Sequence, residues 1–277
     1  MKERSLIVNA DDFGMAPPIN KGIIAAARGG VLRATSVMTN APEFEQAMQD
    51  LAASNLPLDV GFHANLTWGR PLSNPKEIPS LVDADGRFHQ RIELLKRAIS
   101  GRVSGEEVYR ELRAQLMRLA SRTQKISHVD GHHHCHAFPV VARTVEKLAR
   151  EFKISFVRAP REGFWSPWHW AGVRRLVVAS LPASRPSYWR ARGFVCPDHF
   201  GGFALGAGPA IRERWMESAR RLPRGLTEIM VHPGYYSGAD RYDAGREQEI
   251  AILSDLALAD AFRCAGVEIT TFANLSS

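Results

Sequence analysis

Cysteine is scarce in this sequence of 277 residues, and long apolar runs are missing. The cysteines, Cys135, Cys196 and Cys264, are widely spaced and form no C-x-x-C pair, so neither a disulfide framework nor a zinc knuckle is indicated. No apolar stretch approaches the roughly 20 residues of a membrane span, and the first residues contain no signal-peptide h-region. We therefore expect a cytoplasmic protein in a reducing compartment.

Several catalytic signatures are also missing. The sequence has no P-loop, no G-x-G-x-x-G motif after a predicted strand and no G-x-S-x-G motif. The sequence therefore lacks the residues required for nucleotide-dependent chemistry and for a serine nucleophile on a strand-to-helix elbow.

The positive charge is confined to one segment. The chain has a net charge of +7, but residues 158–224 contain twelve arginines and four acidic residues, and the remainder is close to neutral. A protein basic in only one segment, with no recognised module, does not resemble a nucleic-acid binder. The segment also holds Trp165, Trp168, Trp170 and Trp189, which could stack on sugar rings or cover the barrel. Its apolar stretch Val173–Leu181 predicts weak peripheral contact with anionic membranes.

Short β-branched runs alternate with helix-length amphipathic stretches along the whole chain. Such alternation predicts parallel strands joined by crossover helices, and seven or eight units without a linker favour one closed or nearly closed barrel over residues 1–277. Residues 158–224 form its variable part. The predicted strands are Ser5–Asn9, Thr35–Met38, Leu58–His63, Ile126–Val129, Ile154–Arg158, Leu226–Val231 and Val267–Thr271. The last two of these are joined by one predicted helix, Arg246–Cys264.

Polar residues follow the predicted strands at their carboxyl ends, where parallel α/β barrels carry their active sites. Residues from distant parts of the sequence should therefore meet at one rim. They are Asp11 and Asp12 after the first strand, His63 at the end of the third, Asp130 and His132–His136 after the fourth, Arg158 at the end of the fifth, and His232 after Leu226–Val231.

These residue types suit hydrolysis assisted by a metal ion. One carboxylate of the Asp11–Asp12 pair can bind a metal while its neighbour accepts a proton from water, although such a pair is also common in turns and helix caps. The run H-V-D-G-H-H-H-C-H at 128 to 136 offers imidazole ligands. Its spacing leaves open whether His132, His134 or His136 is the ligand.

Several motifs in order resemble the ChbG/YdjC-like carbohydrate deacetylases, relatives of the polysaccharide deacetylases. They are L-I-V-N-A-D-D-F-G at 6 to 14, G-F-H-A-N-L-T-W-G-R-P-L at 61 to 72, the histidine run at 128 to 136, P-D-H-F near 197 and V-H-P-G at 231 to 234. The family includes chitooligosaccharide deacetylases and a branch associated with hopanoid lipid biosynthesis. One departure is Ala64–Asn65, where the family commonly has an apolar residue and Thr.

The resemblance implies an α/β fold, a distorted (β/α) barrel of about seven parallel strands. It implies one divalent ion, Mg or Zn, held by Asp12, His63 and His132, with Asp11 as general base and His232 as general acid. We add that Arg158 could keep Asp11 ionised.

The expected reaction is removal of the N-acetyl group from an amino sugar, in an oligosaccharide or a glycolipid, with release of acetate. The alternatives are a metal-dependent hydrolase of another bond, such as a phosphoester, and a non-catalytic sugar-binding protein. Nucleic acid is not an expected partner, and a homodimer stays an open alternative.

Overall fold

The structure, a computed structural model, describes residues 3–162, 172–202, 205, 210–236 and 243–275. The strands are β1 (Arg4–Phe13), β2 (Leu32–Val37), β3 (Asp59–Ala64), β4 (His128–Gly131), β5 (Phe156–Val157), β6 (His199–Gly201), β7 (Gly225–Val231) and β8 (Val267–Ile269). The helices are α1 (Pro17–Ala27), α2 (Phe44–Ser54), α3 (Arg91–Ile99), α4 (Gly105–Ala120), α5 (Pro139–Glu151), α6 (Gly172–Ser180), α7 (Pro186–Arg190), α8 (Ile211–Arg221), α9 (Asp243–Leu253) and α10 (Leu256–Cys264).

The sheet is parallel throughout the described residues and has the strand order β5-β4-β3-β2-β1-β7-β6, with β8 beside the start of β1. Phe156 of β5 forms an isolated parallel bridge with Val195, which precedes β6, and Glu162, after β5, forms one with Phe200 of β6. The sheet therefore curls into a distorted barrel of seven strands and one accessory strand, which confirms the predicted fold class.

Strand β1 lies in the interior of the sheet and is buried in the core of the barrel. From Leu6 onward each of its residues is buried, as expected of a parallel strand covered on both faces. It pairs with β2, β7 and β8. Polar side chains at the end of this strand are consequently held between elements from both ends of the chain.

The helix predicted over residues 246–264 is wrong as a single element. The structure divides it into α9 and α10, because the Asp255 side chain accepts a hydrogen bond of 2.9 Å from Ala257 N and caps a new helix. No helix in the described part of the chain has both the length and the apolar character needed to cross a bilayer.

Candidate active site

Five strands bring the predicted side chains to one end of the barrel. His132 follows β4 directly, Arg158 follows β5 and His232 follows β7, while His63 is the penultimate residue of β3. Asp11 and Asp12 lie inside β1, which continues to Phe13 instead of ending at Asn9 as predicted. The convergence at one rim that the sequence predicts is therefore present.

The end of β1 is irregular. Its register with β2 shifts between Ala10 and Phe13, and Asp12 has a φ of 70°. A residue other than glycine rarely adopts this left-handed conformation, and its retention inside a strand requires strong contacts from the surroundings. Asp11 and Asp12 accordingly contact different parts of the chain.

Asp12, His63 and His132 form a compact buried cluster. Asp12 Oδ1 lies 2.9 Å from His132 Nδ1 and 3.4 Å from His63 Nε2, and these three residues can offer ligand atoms that lie within 4.8 Å of one another. Adjacent ligands of one ion with bonds of about 2.0–2.2 Å are separated by about 3 Å. The spacing of this cluster fits a single divalent ion.

The orientation of His63 also fits a metal. Its Nδ1 lies 2.7 Å from Asp130 Oδ1 and 3.0 Å from Ser36 Oγ, whereas its buried Nε2 has no hydrogen-bond partner within the described residues. A carboxylate that accepts from one ring nitrogen fixes the tautomer that leaves the other nitrogen free to bind a metal. Asp130 thus supports His63 from behind.

The electrostatic field at this position favours positive charge. Burial alone would lower the pKa of His63, but the carboxylates of Asp130 and Asp11 raise it to about 10. The pKa of Asp12 lies well below its ordinary value, because His132 and His63 outweigh the opposing effect of burial. The donor set therefore fits a cation that replaces the imidazolium proton.

A second candidate set, Asp11, His63 and Asp130, fits a metal less well. Both carboxylates already bind the guanidinium of Arg158, with Nη1 at 2.7 Å from Asp11 Oδ2 and Nη2 at 2.7 Å from Asp130 Oδ2. His63 is shared with the first set. An ion at this second position would face a buried cation.

The histidines of the run that could serve as the ligand have different neighbours. His132 reaches Asp12, whereas His136 Nε2 donates to the carbonyl of Arg158 at 3.1 Å and His134 packs edge-on against Phe200. Burial lowers the pKa of both His134 and His136. Among the described residues, neither belongs to a group with metal-ligand spacing.

Arg158 lies beneath the rim instead of on it. Its side chain is completely buried, and it donates to both oxygens of Asp11, to Asp130 and, through Nε at 2.6 Å, to Glu228. The three carboxylates hold the pKa of the guanidinium well above its ordinary value in spite of burial. Arg158 can therefore act on a reaction through Asp11, without touching the substrate.

Glu228 was not identified from the sequence. Burial raises its pKa to about 7 against the effect of Arg158. An acidic residue inside the apolar strand β7 was a signal that could have identified it, because a buried Glu is rare without a partner.

A cavity of about 460 Å³ opens above these groups. Its polar lining includes Asp11, Asp12, His63, His132, His133 and His232. Six apolar side chains from α3, α6 and neighbouring segments also line the cavity: Ile92, Leu95, Phe138, Val177, Val178 and Leu181. We refer to these six residues as the apolar wall. A ligand in this cavity would meet the reactive groups and the wall together.

Other sequence features have structural roles. Asn65, at the departure from the family pattern, is buried and caps the following loop by accepting from Thr67 N and Trp68 N. Asp198 of P-D-H-F accepts from Leu226 N at 2.9 Å. Trp189 is fully buried and donates to Ala183 O, so it belongs to the core; Trp165, Trp168 and Trp170 lie outside the described residues.

Comparison with known proteins identifies the family of the chain. The model of the YdjC-like protein family matches residues 5–263. The chain belongs to this family. It is 35% identical over 274 residues to a carbohydrate deacetylase of Brevibacillus brevis, covering 98% of this chain and 99% of the relative. It is 32% identical to a carbohydrate deacetylase of Geobacillus stearothermophilus, covering 97% of each chain.

A solved structure supports the fold. A protein of Enterococcus faecalis V583, described as a proposed cellobiose-phosphate cleavage protein, superimposes with a TM-score of 0.81 at 24% identity and covers 99% of both chains. The predicted family and the predicted hydrolase class are confirmed by these matches.

The metal cluster leads to the first prediction. Asp12→Ala, His63→Ala and His132→Ala should each weaken binding of Zn²⁺ or Co²⁺ by on the order of 100-fold or more, since each removes a ligand. Calorimetric titration of metal-free protein measures this, with metal content per chain by mass spectrometry. His134→Gln and His136→Gln are the matched controls and should retain one ion per chain. Loss of the ion in a control, but not in His132→Ala, would reassign the ligand.

Proposed function

We propose that the protein is a metal-dependent deacetylase that removes the N-acetyl group of an amino sugar and releases acetate. The observation that carries this proposal is the placement of Asp11 and His232 beside the Asp12–His63–His132 cluster in one cavity. Amide hydrolysis needs an activated water, a stabilised oxyanion and a proton for the departing nitrogen. The names of the full-length relatives support a carbohydrate as the substrate.

Each requirement has a candidate group. A divalent ion held by Asp12, His63 and His132 would supply a Lewis acid that acidifies water and polarises the acetyl oxygen. Asp11 takes the proton of the attacking water, and the two hydrogen bonds from Arg158 fix the plane of its carboxylate. His232 gives a proton to the amide nitrogen as the C–N bond breaks, leaving acetate and the free amine.

The phosphoester alternative lacks ligands for a second ion. Two-metal phosphoesterases hold their ions about 3.5–4 Å apart with additional bridging carboxylates. Among the described residues, the second carboxylate set surrounds Arg158 and does not line the cavity as a whole, because Asp130 is fully buried beneath it. The geometry therefore favours a single-ion hydrolase.

The apolar wall bears on which amino sugar is bound. We propose that the substrate carries an apolar group beside its N-acetylated sugar, as a glycolipid does. Val177, Val178 and Leu181 belong to the stretch that predicted a membrane contact, yet they line the cavity. A ligand in the cavity can therefore contact these side chains, in place of the bilayer that the sequence predicted. Membrane contact and a homodimer stay predictions.

Asp11→Asn should bind the metal normally and lose about 10²–10⁴-fold in kcat, because the amide keeps the size of the side chain but cannot take a proton. Acetate release from N-acetylglucosamine compounds, followed by mass spectrometry, measures the activity, and calorimetry measures the metal. If the variant loses the metal as well, Asp11 is a ligand instead of a base. Phosphate release from phosphoesters without acetate release by the native enzyme would contradict the proposed reaction.

His232→Ala should hydrolyse the amide at least tenfold more slowly but cleave an activated acetyl ester at nearly the native rate, because the ester's leaving group needs no proton. The ratio of kcat values for the two substrates measures the acid role independently of the amount of active enzyme. Equal losses on both substrates would remove His232 from this role.

Octyl N-acetyl-β-glucosaminide should have a kcat/KM at least tenfold above that of the methyl glycoside, since burial of each methylene contributes about 0.8 kcal/mol. Val177→Thr keeps the side-chain shape and should reduce this preference. Leu176→Thr, at the adjacent and more exposed position outside the wall, is the matched control. A preference for chitobiose derivatives over the octyl glycoside would contradict the apolar substrate.

A further inference from the structure

Two buried charged side chains of α9 contact the loop that carries His232. Arg246 and Glu249 are three residues apart and so lie on the same face of the helix. They are 1% and 5% exposed, which is rare for charged residues without specific partners. No sequence motif includes them, and the proposed mechanism does not use them.

The pair holds the main chain of His232 at both ends. Arg246 Nη1 donates to the carbonyl of His232 at 3.0 Å, and the amide N–H of His232 donates to Glu249 Oε2. The backbone of Arg246 adds a further link, because its carbonyl accepts from Gly234 N at 3.4 Å. The position of the imidazole therefore depends on α9.

The same guanidinium reaches the candidate metal ligand. Arg246 Nη2 donates to Asp12 Oδ2 at 3.1 Å, whereas the other oxygen of Asp12, Oδ1, faces His132 and His63. Arg246 thus directs one carboxylate oxygen toward the histidines by binding the other. The planar guanidinium of Arg246 thus connects Asp12, a candidate metal ligand, to the loop that carries His232, the candidate acid.

Close backbone packing supports this connection from the opposite side. A Cβ on Gly22 of α1 would lie 2.4 Å from Gly234 Cα, and Tyr235 N donates to Pro18 O at 3.1 Å. The loop after His232 is consequently enclosed between α1 and α9. Within this enclosure, Arg246 and Glu249 bind the main chain of His232 itself, and Arg246 also binds Asp12.

We infer that Arg246 and Glu249 are positioning residues that lock the His232 loop to the metal ligand Asp12, so that metal binding and proton donation share one geometry. This inference rests on the proposed function for the roles of Asp12 and His232. A lysine in place of Arg246 keeps the charge but cannot bind two divergent acceptors as a guanidinium does. Because such coupling is reciprocal, metal binding should affect the His232 loop, and a change in the loop should affect metal binding.

The activity test uses Arg246→Lys. Its kcat on the amide should fall about 10–100-fold with KM within about twofold of the native value, while its activity on the activated acetyl ester should fall less than threefold. Glu249→Gln keeps an acceptor oxygen for His232 N–H and should retain far more amide activity than Glu249→Met. Equal losses on amide and ester for Arg246→Lys would show a merely structural role and overturn the inference.

The matched control is Arg118→Lys. Arg118 also bridges a carboxylate and a main-chain carbonyl, those of Glu45 and Thr39, but neither partner is Asp12 or part of the loop that carries His232. This variant should leave the ratio of amide to ester activity unchanged. A change in this ratio equal to that of Arg246→Lys would show that any lost bridge has this effect, and would overturn the inference.

A second readout is independent of activity. Addition of Co²⁺ to the metal-free native protein should slow hydrogen exchange of the amides of His232, Gly234 and Tyr235 and give a visible absorption spectrum. In Arg246→Lys the spectrum should change and the slowing should be lost, while Arg118→Lys should behave as native. Unchanged spectrum and protection in Arg246→Lys would overturn the inference. A native protein that binds Co²⁺ with this protection but releases no acetate would contradict the proposed function alone.

Discussion

The buried guanidinium of Arg158 is the constraint on which the rim depends. It is fully enclosed and binds Asp11, Asp130 and Glu228. Buried ions are tolerated when they are paired and hydrogen-bonded, and removal of one partner typically costs about 3–5 kcal/mol. Asp130 in turn orients His63. The direction of the His63 imidazole, a candidate metal ligand, thus depends on a cation that does not line the cavity.

The excess of carboxylates over cations around Arg158 also favours a further positive charge. Two of the three carboxylates around this guanidinium, Asp130 and Asp11, raise the pKa of the His63 imidazole to about 10 against the effect of burial. A divalent ion between His63, His132 and Asp12 would relieve the same imbalance without a bound proton. Metal binding is therefore expected to release a proton from this site and to be sensitive to pH.

The sequence could predict the groups that stand at strand ends, because parallel strands place their carboxyl ends together regardless of separation along the chain. It could not predict Arg246 and Glu249. On an amphipathic helix an Arg and a Glu are ordinarily solvated, and only the packing of α9 against the loop after β7 turns these two inward. Nor could the spacing of the histidine run distinguish His132 from His134, since the positive φ of His133 and His134 is a property of the folded turn.

Two adjacent carboxylates in β1 are held by two different arginines, which suits the different roles proposed for them. Asp11 is bound through both oxygens by Arg158, which follows β5. Asp12 is bound through one oxygen by Arg246 of α9, which leaves the other for the histidines. The positive φ of Asp12 is where the backbone separates the two side chains. Each carboxylate is therefore fixed by a cation from a different part of the chain, so a change in one arginine should disturb one role before the other.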